Sequence, residues 1–162
     1  MRVYHGSTMR VKNPTVERGR PSTDFGKGFY TTTNFEQAEK WALIRQRNAG
    51  ADAKAVVSTY EVDDDLLEKK RYETLRFSAP DGDWLSFVVE CRREEIIPHS
   101  YAIVFGPVAD DKIYETIDLY ESGVIDAEQT VVRLKINEFY NQISFHSNEA
   151  VRELRFVGAE EV

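Results

Sequence analysis

The sequence predicts an α+β fold carried by a single domain, residues 1–162. Three observations point there. Strand-like segments and helical stripes alternate irregularly, without the repeating strand–helix–strand beat of a parallel α/β protein. The chain is 162 residues long, the size of one domain, and at that size roughly 70% of the unfolded surface is buried, enough for a core without staples. Its 41% hydrophobic and 30% charged residues are ordinary for a globular protein and argue against disorder as the dominant state.

Val3 and Tyr4 suit a first strand over Arg2–His5, ended by Gly6-Ser7. Residues 10–28 hold Pro14, Pro21, Gly19, Gly26 and Gly28 and read as one long loop, a length that in compact domains usually marks function or disorder. Phe29–Thr33 is aromatic and β-branched, hence a short strand. Asn34 with Gln37 three residues on has capping-box spacing, and Phe35, Ala38, Trp41, Ala42 and Ile44 form an apolar stripe of helical period that Gly50 stops. Ala55–Val62 alternates as a strand, and Arg71–Phe77 reads as a further one. Asp63-Asp64-Asp65, the densest charge run, reads as a solvated strand exit or helix cap.

In the second half, Asp81 caps a helix with Trp84, Phe87, Val88 and Cys91 on one face. Tyr101–Phe105 is a buried-strand pattern closed by Gly106-Pro107. Asp110 or Asp111 caps a helix with Ile113, Ile117 and Tyr120 that ends at Gly123, and Asp126 caps another through Val131 and Leu134. Asn141–His146 alternates as a strand, Ser147 or Asn148 caps a short helix, and Leu154–Val157 closes the sheet.

Charge narrows the function classes. Lys and Arg number 21 against 28 Asp and Glu, a net −7, which disfavours whole-molecule attraction to nucleic acid or an anionic membrane. Met1–Val11 has no apolar run like a signal peptide, and no stretch approaches the ~20 apolar residues of a membrane span, so a cytoplasmic protein is expected. The single cysteine, Cys91, excludes an internal disulfide and a cysteine-rich zinc site. His5, His99 and His146 lack metal-ligand spacing, so no metal is expected. Gly26-Lys27-Gly28 lacks the earlier glycine and the following helix of a phosphate loop, and Asp24-Phe25-Gly26 lacks every companion of the kinase metal-binding tripeptide.

Three segments stand out together: Tyr4-His5-Gly6-Ser7; Asp24-Phe25-Gly26-Lys27-Gly28-Phe29-Tyr30, running on through Thr31 toward Trp41; and Tyr140-Asn141-Gln142-Ile143-Ser144-Phe145. In order and spacing they resemble the ADP-ribosyltransferase superfamily, on the branch shared with the poly(ADP-ribose) polymerases. That branch has His-Gly-Ser, then Phe-Gly-Lys-Gly-aromatic-Tyr, then Tyr-Asn-Glu; here Gln142 stands where the glutamate usually is. The chain looks closest to small bacterial members of that clan known only as a domain of unknown function, and Gly106-Pro107-Val108-Ala109-Asp110 adds to the likeness.

The resemblance implies a split β-sheet fold with peripheral helices that pinches NAD, used as co-substrate. His5 would hydrogen-bond the adenosine ribose, the backbone of Gly6 next to Ser7 would hold the nicotinamide carboxamide, and Tyr30, followed by Thr31, would contact the nicotinamide ring. Trp41 falls at the second stacking aromatic, and Gln142 at the nicotinamide ribose, with Glu138 as a nearby source of charge. Catalysis would rest on Gln142, His5 and Tyr30. Arg18 and Arg20 suit the pyrophosphate, and Ser144 and His146, in period two with Gln142, would shape the acceptor side.

The implied activity is mono-ADP-ribosyl transfer to a macromolecule, protein rather than nucleic acid given the negative charge. NAD glycohydrolysis and a silent NAD- or ADP-ribose-binding module are the alternatives. Small bacterial transferases of this kind often act as toxins, so the resemblance also suggests an antitoxin protein as partner. The chemistry asks for such residues. Breaking the ribose–nicotinamide bond builds an oxocarbenium-like charge, which needs a fixed ribose, excluded water and well-placed acceptors.

Overall fold

The computed structural model describes residues 1–93, 99–108, 111–134 and 140–162, and of residues 111–114 the backbone only. Its strands are β1 (Arg2–Ser7), β2 (Phe29–Thr32), β3 (Val56–Glu61), β4 (Thr74–Arg76), β5 (Ile103–Pro107), β6 (Asn141–Phe145) and β7 (Arg155–Glu161). The helices are α1 (Phe35–Ala49), α2 (Gly82–Arg93), α3 (Asp111–Glu121), α4 (Ala127–Leu134) and α5 (Asn148–Val151). The described strands form one mixed sheet in the order β4-β5-β6-β2-β1-β3-β7, parallel between β4 and β5 and antiparallel elsewhere. The fold is α+β.

The sheet is nearly divided. β1 pairs with β3 along its whole length, from Arg2↔Glu61 to Ser7↔Val56, yet meets β2 only at Tyr4↔Thr32. Beyond that point, toward Ser7 and Phe29, the two strands are not paired, and residues of the chain between them line the opening. A four-strand half (β4-β5-β6-β2) and a three-strand half (β1-β3-β7) thus share one narrow seam.

The register sorts side chains by face. Ile103, Phe145 and Phe29 oppose one another and join Val3, Tyr60 and Ile143 in a core that α5 covers through Ala150 and Val151. On the other face, Val104 packs under Trp84 and Val88 of α2, Ile117 of α3 and Leu134 of α4, together with Phe25 of the long loop. A smaller cluster on that face holds α1 against β1 and β3 through Ala38, Ala42 and Val57. Gly6 explains how closely: a Cβ there would lie 2.0 Å from the Ala38 carbonyl oxygen, so only glycine lets α1 lie on β1.

The caps follow the sequence closely. Asn34 accepts from the Gln37 N–H, and Gly50 ends α1 at φ 111°. Asp81 accepts from the Trp84 N–H, and Asp126 with Gln129 forms a reciprocal capping box. Ser147 caps α5.

Several expectations need correction. β1 continues through Gly6 and Ser7, because β3 pairs with both. The Arg71–Phe77 strand shrinks to Thr74–Arg76: Arg71 instead pairs with Glu149, and the Tyr72 hydroxyl donates to Glu153. β5 starts at Ile103 and includes Gly106-Pro107, since β6 supplies partners that far. A 3₁₀ turn at Leu66–Glu68 was not anticipated, and Asp63 beside it binds Lys69 and Arg155. The expected cap at Asp110, the end of the Gly106–Asp110 segment, the side chain of Ile113 and the charge at Glu138 lie outside the described residues.

Candidate active site

The ends of β1 and β2, the long loop and one face of α1 enclose a cleft of about 540 Å³. His5, Gly6 and Ser7 line it from β1, Tyr30 and Thr31 from β2, Trp41 from α1, Arg20 from the loop and Gln142 from β6. Segments separated by more than a hundred residues therefore meet in one hollow.

His5 spans the gap where strand pairing stops. Its Nδ1 lies 2.7 Å from the Tyr30 carbonyl oxygen. A carbonyl only accepts, so Nδ1 carries the hydrogen. Burial holds the imidazole neutral, with its pKa down at about 4. Nε2 is then a lone-pair acceptor, suited to a sugar hydroxyl. The ring also packs on Phe29, centroids 4.4 Å apart.

Tyr30 divides its duties. Its hydroxyl accepts from the Phe25 N–H at 3.0 Å, donates to the Gly26 carbonyl at 2.6 Å and touches Thr23 Oγ1 at 2.9 Å. Burial pushes the phenol pKa well above its ordinary value. The hydroxyl therefore fastens the Thr23–Gly26 turn, where Gly26 has φ 81°, and the ring is what remains for a ligand. The catalytic expectation for Tyr30 narrows accordingly to its ring. Two other hydroxyls are likewise engaged: Thr31 donates to the Ile143 carbonyl, and Ser7 to the Met9 carbonyl.

Gln142 is 8% exposed and lies in a polar chain that crosses the floor of the cleft. Its Nε2 donates to Asp24 Oδ2 at 2.9 Å and to the Pro107 carbonyl at 3.3 Å. The Trp84 indole N–H donates to the same carbonyl. Asp24, itself lining the cleft, also accepts from Arg92 at 2.8 Å, and both of those side chains are under 10% exposed.

Arg18 and Arg20 stand exposed on the loop, and Arg45 joins them from α1. Arg18, Arg20 and Arg45 thus gather positive charge at one cleft of a chain with net charge −7. The loop bearing the first two is tied down: Val11 is held by Ser58 and Tyr60, and Asn148 of α5 reaches Val16 and Glu17.

Ser144 and His146 do not line the cleft. His146 Nδ1 donates to the Lys27 carbonyl at 3.0 Å, and its Nε2 accepts from Ser144. Burial holds this imidazole neutral as well, with a pKa of about 4. The pair anchors the glycine turn to β6, which removes His146 from the acceptor side.

Sequence reasoning missed Arg45, Asp24 and Arg92. Arg45 was within reach, one helical turn beyond Trp41 on the same face of α1. Asp24 stood at the head of the second segment and in a rejected tripeptide, and no role was assigned to it. Its link to Arg92 and Gln142 bridges three remote segments and has no signature in the sequence.

Fold and cleft together define an α+β protein with a ligand-sized hollow at a parted seam of its sheet. Residues 1–156 match the model of the family described as "Protein of unknown function (DUF3990)", and the chain belongs to that family. Neither a search of curated proteins nor a search of solved structures found a match. Among the described residues, no helix is long and apolar enough to cross a membrane.

Proposed function

We propose that the protein is an NAD-dependent mono-ADP-ribosyltransferase. The observation that carries the reading is the convergence of the His5, Tyr30 and Gln142 segments on one arginine-rimmed cleft. Its volume is in the range of small-molecule sites, about 300–1,000 Å³.

Each part has a chemical task. The arginines suit the pyrophosphate, and His5 Nε2 suits a ribose hydroxyl. The Trp41 and Tyr30 rings offer flat apolar walls to a heterocycle. The amide flip of Gln142 is set by its partners: a carboxylate and a carbonyl both take the NH₂ end, which leaves Oε1 as the acceptor toward the nicotinamide ribose. In the reaction, the C1′–nitrogen bond breaks and its electron pair leaves on neutral nicotinamide. An acceptor lone pair then forms the new bond to C1′ and releases its proton to water.

A second reading is favoured by Gln142 itself. A neutral amide stabilises the developing cation less than a carboxylate, since charge-assisted hydrogen bonds are about twice as strong as neutral ones. The protein is then a silent module that binds NAD or ADP-ribose.

Incubation of the purified chain with adenylate-labelled NAD and a cell lysate separates these readings. Nicotinamide release with label on a macromolecule is the expected result, and a labelled protein rather than nucleic acid fits the overall charge. Release without transfer identifies a glycohydrolase. Binding without release identifies the module. Absence of calorimetric binding by both NAD and ADP-ribose overturns the whole assignment.

A further inference from the structure

We propose that Asp24 is the positioning carboxylate of this site: it orients Gln142 so that the amide carbonyl, not the NH₂, meets the ligand. The NAD reading enters this inference only as the identity of the ligand.

Three observations lead to it. Asp24 and Gln142 are both buried, both line the cleft and are joined at 2.9 Å. An unrestrained primary amide can present either end, and a buried carboxylate on one side removes that choice. Arg92 holds Asp24 from the opposite side through Nε at 3.2 Å and Nη2 at 2.8 Å, so the carboxylate is fixed before any ligand arrives. Arg92 and Trp84, which donates to the other acceptor of Gln142, both come from α2. That helix thereby acts on the reacting end of the cleft without lining it.

The arrangement also explains the residue type at position 142. A glutamate there would put a second carboxylate within hydrogen-bond distance of Asp24, on the side away from Arg92. Glutamine is what a neighbouring Asp24 requires, and the two positions form one unit with a single negative charge. Exchanging them (Asp24→Asn with Gln142→Glu) conserves that charge and keeps a donor opposite an acceptor.

The test is a double-mutant cycle with two readouts on the full chain. For stability, Gln142→Glu is expected to lower Tm by roughly 4–8 °C, and adding Asp24→Asn is expected to recover part of that loss, since the Pro107 carbonyl still faces a carboxylate and Arg92 loses its own. Additive effects of the two changes overturn the coupling. For function, Asp24→Asn is expected to cut the rate of nicotinamide release at saturating NAD by about tenfold or more, with NAD affinity within about threefold of wild type. The double variant is expected to regain release. Wild-type release from Asp24→Asn overturns the positioning role, and so does an affinity loss that accounts for the whole effect. If the wild-type chain neither binds nor cleaves NAD, the NAD reading falls, and the stability cycle, which needs no ligand, still decides whether Asp24 sets the state of Gln142.

Discussion

At the scale of single residues, the cleft separates what a side chain touches from what it offers. Tyr30 is the clearest case, because its hydroxyl and its ring serve different structures. Tyr30→Phe removes three polar contacts from the loop and is expected to cost about 1–3 kcal/mol in urea unfolding, with NAD affinity little changed. Tyr30→Ala removes the ring and is expected to lower that affinity about tenfold or more. Equal affinity losses for the two variants in calorimetric titration would show that the hydroxyl, not the ring, faces the ligand. His5→Ala is expected to weaken NAD binding similarly, since it deletes the acceptor at Nε2 and also unstraps β1 from the Tyr30 carbonyl.

At the scale of elements, the seam between β1 and β2 is set by what packs behind it. α1 carries Trp41 and Arg45 to the cleft, and its height above β1 is fixed by Gly6. Gly6→Ala would drive a Cβ into the helix backbone rather than into a yielding side chain, so α1 must lift. The expected result is a loss of about 1–3 kcal/mol in urea unfolding together with weakened NAD binding, although Gly6 has no side chain to contribute. Unchanged binding would mean that α1 does not set the cleft wall. Local features of this kind were the ones legible in the sequence. The caps at Asn34, Asp81, Asp126 and Ser147 and the stop at Gly50 were readable because capping depends on neighbours three or four residues apart. Strand limits were less so: β4 and β5 end where a remote partner ends, and Arg71 left its predicted strand for Glu149. For the site, the three segments were legible as motifs, and each lends lining to one cleft, the first through Tyr4–Ser7, the second through Asp24, Gly28, Phe29 and Tyr30, and the third through Gln142. The Arg92–Asp24–Gln142 chain was not, because its members meet only when the α2 helix, the loop and β6 have packed together.

At the scale of the whole molecule, the histidines make stability depend on mild acid. All three imidazoles of the chain are held below their ordinary pKa by burial: His5 and His146 at about 4, and His99, edge-on to His146 with ring centroids 4.8 Å apart, in the same direction. Each donates a ring N–H to a backbone carbonyl within the fold: His5 to Tyr30 at the seam, His146 to Lys27 in the glycine turn, and His99 to Phe25. Their protonation would thus loosen the walls of the cleft itself. At His5 and His146 the unfolded chain takes up protons near pH 6.5 while the folded one does not until about pH 4. Stability attached to these groups is therefore present above pH 6.5 and is lost as pH falls through the interval to 4, at up to about 1.4 kcal/mol per pH unit for each. Between pH 7 and pH 5, His5 and His146 together account for a loss of up to roughly 3–4 kcal/mol. Carboxylates act in a lower window. The Asp63 pKa is held at about 2 by Lys69 and Arg155, so its contribution is present above the normal carboxylate range and is lost as pH falls further. Urea midpoints at pH 7, 6 and 5 are expected to fall steadily in the wild type, and the fall is expected to shrink by nearly half in His146→Asn, which keeps a donor for the Lys27 carbonyl but does not titrate. A wild-type midpoint that stays level from pH 7 to pH 5 would mean that these imidazoles remain open to water in the folded chain, and the neutral His5 acceptor would go with them.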